Sequence, residues 1–246
     1  MAEPAAIVTG PERGIGQAIA IHLRTQGWYV IGIGLDPTSS SCDHFIKYDL
    51  SLSENSADFG KNCIQPAIAA LAGRELRGLV NNAAVQILGS LGSVDLSEWQ
   101  KTLTVNLTAP MLLCQAFADR LQNSSGAIVN IGSVHSQATK PKFISYATSK
   151  AALHGLTKAL AVDLGGKVRV CAVAPAAIAT EMLEAGFEGR PDDRARLAAF
   201  HPAQKIGDPG EVARAVAFLL DPATPFLTGS ILYLDGGILS RLHDPS

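Results

Sequence analysis

A chain of 246 residues lies near the upper limit of what one hydrophobic core serves, which predicts a single α/β domain over residues 1–246. With 47% apolar and only 17% charged residues, it suits strands buried on both faces, as in a parallel sheet covered by helices, better than a half-wet antiparallel sheet. Twenty basic against 22 acidic residues, with no block of like charge, argue against nucleic acid or an anionic membrane as partner and leave a small molecule.

In chain order, apolar runs of strand length at 5–9, 29–34, 45–49, 78–81, 126–131, 168–174 and 230–234 alternate with helix-period stretches at 14–26, 53–71, 97–121, 144–164 and 209–219. The last helix is opened by Asp208 as a cap before Pro209. Such alternation predicts repeated βαβ units and a Rossmann-like, doubly wound parallel sheet of about seven strands with helices on both faces. Residues 181–205 have no clear period and read as a long loop, a lid over the site. The first apolar run, 5–8, is too short for a secretion signal, and no window reaches the length of a membrane span. Cys42, Cys63, Cys114 and Cys171 form no CxxC pair and show no metal-ligand spacing, so the expectation is a cytoplasmic protein with free thiols and no metal.

Thr9-Gly10-Pro11-Glu12-Arg13-Gly14-Ile15-Gly16 stands directly after the first strand and opens the first helix. Glycines in that place let the backbone turn tightly and approach a pyrophosphate, which rests on the unpaired N–H groups of the helix terminus. An ordinary strand-to-helix turn can carry the same glycines, so their position in the chain gives them weight.

Tyr146 and Lys150 are four residues apart on an apolar helix and project from one face of it. Alone, such a pair is more often a packed tyrosine and a snorkelling lysine. Two further polar groups change the balance. Ser133 lies just past the fifth strand, where open parallel sheets bind ligands, and Asn106 places an amide within a helix at Val105-Asn106-Leu107-Thr108.

With these pieces the chain resembles a single-domain short-chain dehydrogenase/reductase over essentially its whole length. The matching motifs are the glycine turn, Asp49-Leu50, Asn81-Asn82-Ala83-Ala84, Asn106, Ser133, Tyr146-Ala147-Thr148-Ser149-Lys150, the segment 175–180, and Thr228-Gly229-Ser230 through Gly236-Gly237. Tyr146 follows Ser133 by 13 positions, the spacing the family uses. The resemblance implies hydride transfer between a nicotinamide dinucleotide and a secondary alcohol or ketone. In that scheme Tyr146 is the acid or base, Lys150 lowers the phenol pKa and binds the nicotinamide ribose, Ser133 holds the substrate oxygen and Asn106 anchors a water. It also implies cofactor contacts at Gly10, Arg13, Gly14, Ile15, Gly16, Asp49, Leu50, Asn82, Ala83, Tyr146, Lys150, Pro175, Ile178 and Thr180. Ala176 stands where the family commonly has glycine.

Asp36, twenty positions past Gly16, is placed to accept from the adenosine ribose and favours NAD, although Gly34 occupies the family's usual acidic position. Arg13, a basic residue in the turn, points to NADP, and Asp36 also reads as a solvated turn residue before Pro37. Gln86 and His135 follow the fourth and fifth strands as substrate-binding candidates, with Lys140 or Lys142 as cationic partners. They suggest a small polar hydroxy compound: a hydroxy acid, a sugar or a polyol. His135 is equally a loop residue bonded to backbone. The alternatives are an NADPH-dependent 3-oxoacyl thioester reductase and, remotely, a non-catalytic dinucleotide sensor. A larger epimerase is disfavoured because about ten residues follow Gly237. Family members usually form homotetramers, which is the expectation here.

Overall fold

The computed structural model describes residues 3–242, and the extreme ends of the expected 1–246 domain lie outside the described residues. Its strands are β1 (Ala5–Thr9), β2 (Tyr29–Gly34), β3 (His44–Lys47), β4 (Leu76–Asn81), β5 (Ala127–Ile131), β6 (Arg169–Pro175) and β7 (Ile231–Leu234). All seven pair parallel in one sheet of order β3-β2-β1-β4-β5-β6-β7. The order reverses between β1 and β4, and in such sheets the crevice beyond the strand C-termini at that reversal is where a ligand is received.

Side chains alternate across the sheet, and both faces are dry. Ile7, Ile31, Leu79 and Ile128 pack on one face against Leu113, Phe117 and Leu121 of α5 (Ala109–Asn123). Their neighbours Val8, Val30, Val80 and Val129 pack on the other face. There they meet Ile19 and Leu23 of α1 (Gly14–Thr25) and the apolar stripe of the helix at Pro209–Leu220.

Two helices that read as continuous in sequence are interrupted. The 53–71 stretch starts at the Asn55 cap and divides into α2 (Ser56–Phe59), a π-helical turn (Gly60–Ile64) and α3 (Gln65–Leu71). The 97–121 stretch divides into α4 (Leu96–Leu103), a π-helical turn (Thr104–Thr108) and α5. A proline follows each turn by two residues, Pro66 and Pro110. Neither can donate to the carbonyl four residues back, and the ring crowds that carbonyl, so the ladder shifts to a wider step just upstream.

α6 (Ile144–Asp163) is tied to the sheet by buried amides. Asn81 donates to Asn130 at 2.8 Å, Asn130 donates to Thr157 at 2.9 Å, and Thr157 donates to the Leu153 carbonyl at 2.8 Å. The 181–205 stretch is not a loop. It holds α7 (Glu181–Ala185), opened by the Thr180 side chain, and α8 (Pro191–Phe200), and Arg194 joins the two through paired 2.8 Å bonds to Glu184. The long C-terminal helix, α9 (Pro209–Leu220), begins in a capping box of Asp208 and Glu211.

Candidate active site

The glycine turn reaches the crevice at the sheet reversal. Gly10 and Gly14 have φ of +65° and +55°, and a Cβ on Gly16 would stand 1.9 Å from the Gly10 carbonyl oxygen. All three positions therefore exclude larger residues, for conformation at the first two and for close approach at the third. Arg13 is the N-cap of α1 but its side chain caps nothing, and the first turn holds no acid. The N–H groups there are left for an anion, and a pyrophosphate fits this cradle. Thr9 and Asn82 brace the turn. Thr9 Oγ1 accepts from the N–H groups of Asn82 and Ala83 at 2.9 Å each, and Asn82 Nδ2 donates to the Thr9 and Gly10 carbonyls at 2.9 and 3.1 Å. Ile15 is partly buried at the start of α1.

The remaining expected cofactor residues lie at or after the C-terminal ends of β2, β3 and β6. Asp49 accepts from the Ser51 N–H at 2.9 Å and so caps the short turn begun by buried Leu50. Pro175 ends β6, Ile178 is buried, and Thr180 lies over the glycine turn: a Cβ on Gly14 would meet its Cγ2 at 3.1 Å. Asp36 forms an exposed ion pair with Arg13 at 3.2 Å, so the two side chains that argued for opposite dinucleotides are joined to each other.

On the far side of the reversal, β5 delivers Ser133 and α6 delivers Tyr146 and Lys150. Ser133 is buried and its Oγ accepts from the His135 N–H at 3.2 Å, opening a short helical turn. Burial pushes the Tyr146 phenol above its ordinary value, and the hydrogen bond from Ser133 pulls the other way. Lys150 is buried, donates to the Ile131 carbonyl at 2.7 Å and lies 5.7 Å from the centre of the Tyr146 ring. Burial brings its ammonium down to about 8. Desolvation sets the direction of both shifts, and the phenol is raised where the resemblance implied that Lys150 lowers it.

Asn106 sits in the π-helical turn, and its side chain is occupied. Oδ1 accepts from the Val85 N–H at 2.8 Å, while Nδ2 donates to the Val85 carbonyl at 2.9 Å and to Ser149 at 3.0 Å. The amide therefore clamps the loop after β4 to α6. A water would have to be held by the backbone carbonyl, to which Pro110 has no N–H to offer.

His135 stacks on Phe143 at 4.4 Å and meets the Tyr146 ring edge-on at 5.7 Å, and its Nδ1 is 2.8 Å from the Thr139 hydroxyl. Burial, and to a lesser degree the Lys140 cation, bring the ring down to about 4, so it is neutral in ordinary buffers. Gln86 is exposed beside the same mouth of the sheet. Sequence reasoning missed Glu12, whose carboxylate lies against Gly34. The available signal was a glycine at the position expected to be acidic together with an acid in the glycine turn.

The model of a family described as enoyl-(acyl carrier protein) reductase matches residues 10–239. The chain is 34% identical to Protein FixR of Bradyrhizobium diazoefficiens, over 94% of this chain and 85% of that protein. It is also 34% identical to the 3-oxoacyl-(acyl-carrier-protein) reductase FabG of Vibrio cholerae, over 95% and 96%. Among solved structures, the ligand-free aldohexose dehydrogenase AldT of Thermoplasma acidophilum superposes with a TM-score of 0.86 at 30% identity, covering 100% of this chain and 97% of that one. ElxO with NADP bound gives 0.85 at 27% identity, covering 98% and 100%.

Proposed function

The chain belongs to the short-chain dehydrogenase/reductase family, and from that premise we propose that it oxidises a small polar secondary alcohol, or reduces the matching ketone, with NAD as its preferred dinucleotide. The observation that carries this reading is the meeting of Ser133, Tyr146 and Lys150 at the crevice that also receives the glycine turn. A nicotinamide dinucleotide, when bound, supplies the hydride donor or acceptor. Gly10, Gly14, Gly16 and the open start of α1 would hold its pyrophosphate. Ser133 Oγ holds the substrate oxygen, and Tyr146 Oη takes the hydroxyl proton during oxidation or gives it during reduction. The Lys150 ammonium, brought down to about 8 by burial, favours the charged phenolate from which oxidation starts and to which proton donation returns Tyr146 in reduction. Asn106 keeps the loop after β4 fixed against α6, which sets the mouth of the pocket.

His135 bears on substrate class. A neutral imidazole beside Tyr146 offers a hydrogen bond and no charge, which favours a sugar or polyol over a hydroxy acid. α7 and α8, joined by Arg194 and Glu184, supply the substrate cover. The similarity to FabG supports a second reading, reduction of a 3-oxoacyl thioester with NADPH. Exposed apolar side chains on α4, α5 and α6, among them Leu96, Met111 and Val162, suit burial between subunits of a homotetramer.

Dinucleotide absorbance at 340 nm, followed against panels of aldohexoses, polyols, hydroxy acids and an acetoacetyl thioester, tests the assignment, with Tyr146→Phe as control. Oxidation of a sugar or polyol with NAD is the expected result. Turnover of the thioester alone, with NADPH, would replace the first reading by the second, and turnover that survives Tyr146→Phe would overturn both.

A further inference from the structure

The space a side chain would fill at the end of β2 is already taken. A Cβ on Gly34 would lie 1.8 Å from Oε1 of Glu12. Gly34 is not among the residues with positive φ, so glycine is needed there for room and not for conformation. Glu12 reaches this place from the middle of the glycine turn. Its Oε1 accepts from the backbone N–H of Leu35 and of Asp36 at 2.6 and 3.2 Å. Successive N–H groups of this kind form an anion seat, and here a carboxylate of the chain itself occupies it. The neighbouring cation, Arg13, is held by Asp36.

We propose that Glu12, seated on Gly34, is the residue that makes the protein choose the unphosphorylated dinucleotide. When a pyrophosphate rests on the N-terminus of the first helix, the adenosine ribose falls at the end of the second strand, where an acid accepts from the 2′-hydroxyl. Residue 34 carries no acid, and Asp36 is turned to Arg13. Glu12 brings the carboxylate from the other side of the same corner. It offers the acceptor that a free 2′-hydroxyl needs, holds the two N–H groups that a 2′-phosphate would take, and repels that phosphate by its charge. The assignment rests on the oxidoreductase reading above and adds the residue that decides its cofactor.

Calorimetric titration with NADH, NADPH, 5′-AMP and adenosine 2′,5′-bisphosphate tests it without turnover. The unaltered protein is expected to bind NADH at least tenfold more tightly than NADPH. Glu12→Ala should cut that ratio at least tenfold, and should shift preference from 5′-AMP toward the bisphosphate. Gly34→Ala, which displaces the carboxylate without removing it, should act in the same direction. If both variants bind dinucleotide with the original ratio, or if the unaltered protein already prefers NADPH, the role given to Glu12 is overturned while the oxidoreductase reading stands. Binding of neither dinucleotide by the unaltered protein would remove that reading, and this inference with it.

Discussion

At the scale of single residues, the chemistry turns on opposing pressures on Tyr146 and Lys150. Burial raises the phenol and lowers the ammonium to about 8, so at neutral pH the phenol is protonated beside a lysine that still carries most of its charge. Oxidation needs the phenolate, whose share grows about tenfold per pH unit below the phenol pKa, while reduction needs the neutral phenol. The specificity constant for oxidation should therefore climb steeply from pH 6 to 9 while that for reduction stays nearly level, as initial rates in the two directions will show. Tyr146→Phe should lower kcat by roughly 10² to 10⁴, the usual contribution of a positioned acid or base, and leave the NADH dissociation constant within threefold. Loss of NADH binding in that variant would instead make Tyr146 chiefly a cofactor contact. Asn106, Ser133, Tyr146 and Lys150 stand out in the sequence as a combination, since the Tyr146 to Lys150 spacing alone occurs on many helices. What spacing did not convey is that the Asn106 side chain is consumed by Val85 and Ser149, since a hydrogen-bond partner in a distant loop leaves no trace in local pattern.

The scale of the element shows where pattern reading works and where it stops. Strands buried on both faces announce themselves as uninterrupted apolar runs, and β1 and β2 match their expected bounds while the others differ by one or two residues. α7 and α8 were hidden because periodicity reports burial, and α8 buries no residue. The π-helical turns escaped for a related reason: the apolar stripe continues through them, and only Pro66 and Pro110 mark the break. α6 carries a further oddity one turn beyond Lys150. His154 is buried, neither ring nitrogen finds a partner among the described residues, and a Cβ on Gly132 would come within 2.1 Å of its Nε2. Burial, then the Lys150 and Lys158 cations, lower it to about 4. An unfolded histidine titrates near 6.5, so between those values the unfolded chain holds a proton that the folded chain refuses. The stability is fully present above pH 6.5 and is lost as pH falls toward 4. Urea unfolding at pH 7 and pH 5 should differ by about 2 kcal/mol on this account, and His154→Leu should remove that part of the difference. An unchanged pH dependence in the variant would place the loss elsewhere.

For the whole molecule, one sheet with a single reversal fixes the address of the site, and the surface suggests how copies meet. Val162, 83% exposed on α6, and Leu96, 76% exposed on α4, are apolar side chains left in water by an isolated subunit. Light scattering at micromolar concentration should return the mass of four chains, and Val162→Glu should return a smaller assembly with an unchanged circular dichroism spectrum. A monomer in the unaltered protein would refute the tetramer. Among the described residues no helix is long and apolar enough to cross a membrane.

The uncapped start of α1 has a practical side. Its N–H groups belong to no side chain, so any small dianion in the buffer competes for them. Assays run in phosphate or sulfate should then report a weaker cofactor than assays run in a zwitterionic buffer at equal ionic strength. The apparent KM for the dinucleotide should rise linearly with phosphate while kcat holds constant. A comparison between laboratories using different buffers would otherwise mistake the salt for a property of the enzyme.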